Sequence, residues 1–156
     1  MNKNLQLCIS SAALLFASST FAASDAKHFP GFFLGATHLD SETVFSYGLE
    51  YEYKFDSSWG AGAVYEETND AHHGDGVTVV LAALYYHPLK YIRVGIGAGT
   101  AKVGGAHSYS ENLYRLSANY DYHLGDFSIE PTIAVDFADG EEALVLGVAL
   151  LLDPSK

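Results

Sequence analysis

The residues best placed to do chemistry are charges set two apart along otherwise apolar or aromatic stretches. Glu50, Glu52 and Lys54 alternate with Leu49, Tyr51, Tyr53 and Phe55, and Glu66, Arg93, Arg115, Glu130 and Asp136 sit in comparable surroundings. Carboxylates and guanidinium groups gathered on one face can pair into a salt-bridged plug, or can line a narrow path for a solute or a proton. Charges buried together persist only when paired and hydrogen-bonded, so the plug is the expected arrangement. Five acids against three bases leave some acids that must lie near water at a rim or hold a proton.

Two other clusters invite a chemical reading. Asp70-Ala-His-His-Gly-Asp75 places His72 and His73 between carboxylates, a donor set for Zn²⁺ or Cu²⁺. Adjacent histidines in a glycine-containing loop read first as a solvated acidic loop, and no metal is expected. His107, Ser108, Ser110 and Glu111 hold the residue types of a Ser-His-Glu hydrolase. Nothing beside them marks an oxyanion hole, and an ordinary polar loop is the expectation. There is no P-loop, dinucleotide fingerprint or zinc-protease motif. No catalytic residue and no cofactor are expected.

The elements that carry the charges read as strands. Phe45, Tyr47, Leu49, Tyr51, Tyr53 and Phe55 share one face of a strand whose other face is Ser46, Gly48, Glu50, Glu52 and Lys54. Ile92, Val94, Ile96 and Ala98 oppose Arg93, Gly95, Gly97 and Gly99 in the same way, and Phe127, Ile129, Pro131, Ile133, Val135 and Phe137 oppose Ser128, Glu130, Thr132, Ala134 and Asp136. Eight strands are predicted, over 29–38, 43–55, 59–68, 76–87, 91–102, 111–123, 127–137 and 142–152. Tight turns at 56–58, 88–90 and 124–126 alternate with mostly longer polar connections at 39–42, 69–75, 103–110 and 138–141. That rhythm predicts an all-β, antiparallel up-and-down barrel that crosses a membrane. Small residues and charges would fill its narrow lumen. Phe45, Tyr47, Tyr51, Tyr53, Phe55, Trp59, Tyr120, Phe127 and Phe137 would face lipid, several of them in girdles near the strand ends. A soluble barrel would show the opposite polarity, with its aromatic face inside.

The bulk numbers fit one exported domain. The chain has 156 residues, 49% hydrophobic and 13% aromatic, with fifteen Gly. Residues 1–22 read as a signal peptide: Lys3, an apolar stretch from Leu5 to Phe16, and small residues around Ala22. Its removal would take Cys8 with it and leave residues 23–156 as the barrel domain. Removing Lys3 turns 8 basic against 19 acidic residues into 7 against 19, a net charge of −12, which argues against nucleic acid as a partner.

Tyr47-Gly-Leu-Glu-Tyr-Glu-Tyr-Lys-Phe-Asp56 with Trp59-Gly-Ala-Gly-Ala63, and Tyr114-Arg-Leu-Ser-Ala-Asn-Tyr-Asp-Tyr122 before a Gly125-Asp126 turn, resemble the small outer-membrane β-barrel proteins of Gram-negative bacteria. The likeness is one of architecture and covers nearly all of the chain after the signal. It implies an eight-stranded barrel in the outer membrane with no shared catalytic residue. It also implies outer-membrane lipid, lipopolysaccharide and the barrel assembly machinery as partners of a monomeric protein. Members of such families are structural, adhesion or defence proteins, narrow pores and a few lipid-modifying enzymes. A structural or surface-interaction role is the leading expectation here. A narrow channel, a lipid-modifying enzyme and a soluble periplasmic lipocalin-like binder stand as alternatives. Chains of this kind often end on an aromatic residue, whereas this one ends Leu150-Leu-Leu-Asp-Pro-Ser-Lys156.

Overall fold

The computed structural model describes residues 27–39, 41–69 and 75–153. The signal-peptide stretch and the His72–His73 pair lie outside the described residues. The strands are β1 (Lys27–Leu39), β2 (Glu42–Lys54), β3 (Trp59–Thr68), β4 (Val77–Leu89), β5 (Ile92–Val103), β6 (Tyr109–Tyr120), β7 (Tyr122–Leu124), β8 (Phe127–Ala138) and β9 (Glu141–Leu152). Each predicted strand is found, with ends displaced by two residues at most.

β6 and β7 are one stave. Asn119 pairs with Thr132 and Tyr122 with Ile129, so the register against β8 does not change across the break. The break falls beside Pro131, which has no N–H to give to the ladder. The sheet runs β6-β5-β4-β3-β2-β1-β9-β8 with every pair antiparallel, and the β6–β8 pairing closes it into an eight-stave barrel.

The two ends differ, though less than expected. One end carries only short turns, the longest of them residues 55–58. There Asp56 Oδ1 accepts from the amides of Ser58 (2.6 Å) and Trp59 (2.8 Å). The other end has two longer connections, residues 69–76 and 104–108, but only two residues separate β1 from β2 and β8 from β9. Asp139 and Gly140 both take positive φ (45° and 88°), the geometry in which an Asp-Gly hairpin closes most tightly. Strands therefore extend into what read as loops at 39–42 and 138–141.

Register decides which face looks inward. Lys54 pairs with Gly60, Glu52 with Phe29 and Gly62, and Glu130 with Ala149, so the glycines and charges share the inner face. The interior is more apolar than a small-and-polar expectation. Phe29, Phe33, Ala134, Val145, Ala149 and Leu151 form one buried cluster, and Val64, Val79, Leu81, Ala101 and Leu113 another. Gly35 and Gly147 are register partners, and a Cβ on either would meet the ring of Phe33. The ring thus covers two glycines that let the wall curve.

Candidate functional site: the barrel lumen

Two guanidinium groups organise the interior. Arg93, on β5, is 2% exposed. Its Nη1 donates to Glu52 Oε2 at 3.1 Å and its Nη2 to Glu50 Oε1 at 3.0 Å, both on β2 across the lumen. Glu130 Oε2, on β8, lies 2.8 Å from Nη2 without hydrogen-bond alignment. The guanidinium carbon stands 4.7 Å from the Tyr85 ring centroid. His87 Nε2 meets the other oxygen of Glu52 at 2.7 Å. Three carboxylates thus converge on one permanent cation, with a histidine beside them.

Arg115, on β6, holds Asp136 through Nε and Nη2, both at 2.6 Å, a bidentate fork between register partners. Its Nη1 donates to Glu66 Oε2 at 2.8 Å, which comes from β3 on another part of the wall. A cavity of about 30 Å³ touches members of both clusters, Glu50, Arg93 and Arg115 among them, and is otherwise lined mostly by apolar side chains such as Phe33, Val64 and Leu81. Toward the longer-loop end, Thr37 and Ser46 hydroxyls lie 2.6 Å apart and Ser46 and Thr68 3.3 Å apart, bracing β1, β2 and β3.

The outer surface has the inverse character. Leu49 (59% exposed), Ile96 (58%) and Leu116 (54%) form part of an apolar middle band. Near the short-turn end Trp59 packs on Tyr86 with centroids 4.8 Å apart and Tyr91 on Tyr120 at 5.6 Å, with Phe55 and Phe127 close by. Near the other end Phe45 stacks on Tyr47 at 6.1 Å. Tyr47 and Tyr65 both donate to Glu67, an outward carboxylate one residue from the end of β3.

Known structures share this architecture. The crystal structure of Ail, the attachment invasion locus protein of Yersinia pestis, matches with a TM-score of 0.57 over 82% of this chain and 97% of its own, at 14% identity. Neisserial surface protein A matches at 0.60, covering 83% and 97%, at 8% identity. The N-terminal β-barrel domain of Pseudomonas aeruginosa OprF matches at 0.53, covering 82% and 98%, at 16% identity. The fold is that of the small outer-membrane β-barrels. No protein-family model matches the chain, and no curated protein matches it in sequence.

Within this outer-membrane-type barrel, seven of the eight charges singled out in the sequence fall into the two arginine clusters: Glu50, Glu52, Arg93 and Glu130 in one, Glu66, Arg115 and Asp136 in the other. Lys54 joins neither. It stands half-buried at the short-turn rim with Nζ 4.6 Å from the Phe29 ring centroid. Phe45, Tyr47, Tyr51, Tyr53, Phe55, Trp59, Tyr120, Phe127 and Phe137 all lie on the outward face, Tyr47 and Tyr53 half-buried by their neighbours. Of the hydrolase-like group, His107, Ser108 and Ser110 are exposed, and Glu111 turns into the mouth of the lumen.

Phe29, Phe33, Tyr85 and His87 were not singled out. Both faces of β4 are apolar, so its alternation does not say which is inner. A signal did exist for β1: Phe29 and Phe33 share parity with Gly31 and Gly35, and glycine marks the inner face.

Proposed function

We propose that the protein is a small integral outer-membrane barrel with a structural or surface-interaction role, acting without catalysis, its lumen closed by the two arginine clusters. The carrying observation is the inversion of polarity, with ion pairs inside and an apolar, aromatic-edged surface outside. In water that surface would promote aggregation. In a bilayer it is the ordinary barrel exterior. Apart from the ten-residue β3, the staves have strands of 12 residues or more, which at about 3.3 Å per residue and a tilt of about 40° span about 30 Å, the thickness of a hydrocarbon core. The longer connections would face outward and the short turns the periplasm, with lipopolysaccharide and phospholipid as neighbours and the assembly machinery as the route of insertion. That like-folded Ail is an attachment invasion locus protein and another such barrel a surface protein supports a surface role by analogy of fold.

Fractionation tests this reading. The protein is expected in the outer-membrane pellet and should migrate faster on a denaturing gel before boiling than after. Recovery from the soluble periplasm with unchanged mobility would overturn the reading. The closed lumen is tested separately in a planar bilayer, where the purified barrel is expected to give no stepwise conductance. Reproducible steps would replace the plug with a channel.

A further inference from the structure

The mouth at the longer-loop end holds a chamber that the arginine clusters leave open. Its volume is about 70 Å³. Val77, Val79, Ala101, Val103 and Leu113 form its apolar wall. Its floor is Glu66 and Asp136, two carboxylates matched by the single guanidinium of Arg115. At its rim stand Glu111 and Glu141, turned inward by register because they pair with Ala101 and Ala138. Among the described residues of this end, Glu42, Asp75, Asp139 and Glu142 add further negative charge, and Lys102 is the one lysine or arginine. At the other end the imbalance is smaller, since Lys27, Lys54 and Lys90 stand there against Asp56, Asp121, Asp126 and Asp153.

Apolar walls beneath an acidic rim select for both tail and head of a ligand. The wall gains by shedding water onto an alkyl chain. Carboxylates around a concave, low-dielectric mouth concentrate cations and repel anions. A chamber of this size takes about three methylene-sized groups. We infer that the outer mouth is a binding site for a small amphiphilic cation, an alkylammonium whose tail lies against Val79, Val103 and Leu113 and whose head sits between Glu111 and Glu141. The inference takes from the proposed function only that this mouth opens to the exterior.

The test uses the full barrel, refolded in phosphatidylcholine nanodiscs with labelled Val and Leu methyl groups and titrated with n-propylammonium chloride. Saturable shifts are expected at Val77, Val79, Val103 and Leu113, with Leu151 at the far end unmoved. Affinity should rise about fourfold per methylene from methyl to propyl, the gain for each methylene buried. Propanoate should bind at least about tenfold more weakly, because its charge meets like charge. The Glu111→Gln/Glu141→Gln pair should keep the heat-shifted migration yet lose the preference for propylammonium over propanol. Ala101→Phe should fill the chamber and abolish the shifts. If that variant does not fold, the rim pair decides alone. Absence of saturable shifts in the folded barrel, equal binding of propanoate, or an unchanged preference in the rim variant would overturn the inference and leave the membrane reading intact. Recovery of the protein from the soluble fraction would instead overturn the membrane reading, whatever the titration shows.

Discussion

Replacing Arg93 by methionine is expected to destabilise the folded barrel by about 3–5 kcal/mol, the usual consequence of stranding buried charge. The side chain is 2% exposed and draws Glu50, Glu52 and Glu130 together. Without it, three carboxylates share a confined space with His87 as their remaining partner. The loss belongs to the stranded acids more than to the arginine itself. Glu130→Gln alone should therefore change stability by less than about 1 kcal/mol, since it removes a surplus acid that lacks hydrogen-bond alignment. Combining Arg93→Met with Glu50→Gln, Glu52→Gln and Glu130→Gln should recover most of the loss. Urea titration in lipid vesicles, followed by the fluorescence of Trp59, the only tryptophan, reads each step. An Arg93→Met barrel that unfolds at the wild-type urea concentration would show that the cluster does not hold the staves together.

Gly147→Val should be nearly as damaging, for a steric reason. A Cβ at Gly147 would fall on the Phe33 ring and on the carbonyl oxygen of Leu34. The ring can leave only by giving up its place in the cluster with Val145, Ala149 and Leu151, and the backbone oxygen cannot yield without straining the β1–β9 ladder. Overpacking of about 1–3 kcal/mol adds to the loss of about 2 kcal/mol from expelling a buried aromatic ring. Phe33→Leu should be mildly destabilising alone and should partly rescue Gly147→Ala, so the double variant is expected to be more stable than additivity predicts. Strict additivity in the same urea titration would mean that the ring and the two glycines are not coupled.

These two positions also separate what local pattern can reveal from what closure adds. Alternation from Phe45 to Phe55 is enough to define a two-faced strand, and repetition of glycine and charge opposite apolar residues in the strands holding Arg93 and Glu130 identifies the inner face. Strand boundaries followed from the same period. The shortness of the β1–β2 and β8–β9 connections escaped it, because Ser41 and Asp139 adopt left-handed backbone angles that polar residues in a supposed loop do not announce.

Amino-acid order by itself determined that this protein is a barrel of alternating staves with charges on the concave side, because side-chain period and turn chemistry are local properties of the chain. Only the tertiary structure decided which charges meet. Arg93 reaches Glu52 and Glu50, 41 and 43 residues away, because curling the sheet brings β5 opposite β2. Arg115 captures Asp136 by register but Glu66 by closure. The same closure leaves Lys54 outside both clusters, hides Phe33 and Tyr85 in the lumen, and gathers Glu111 and Glu141 over an apolar chamber. Such contacts depend on which strand lies across the lumen from which, a quantity set by the register of every pair together rather than by any one segment.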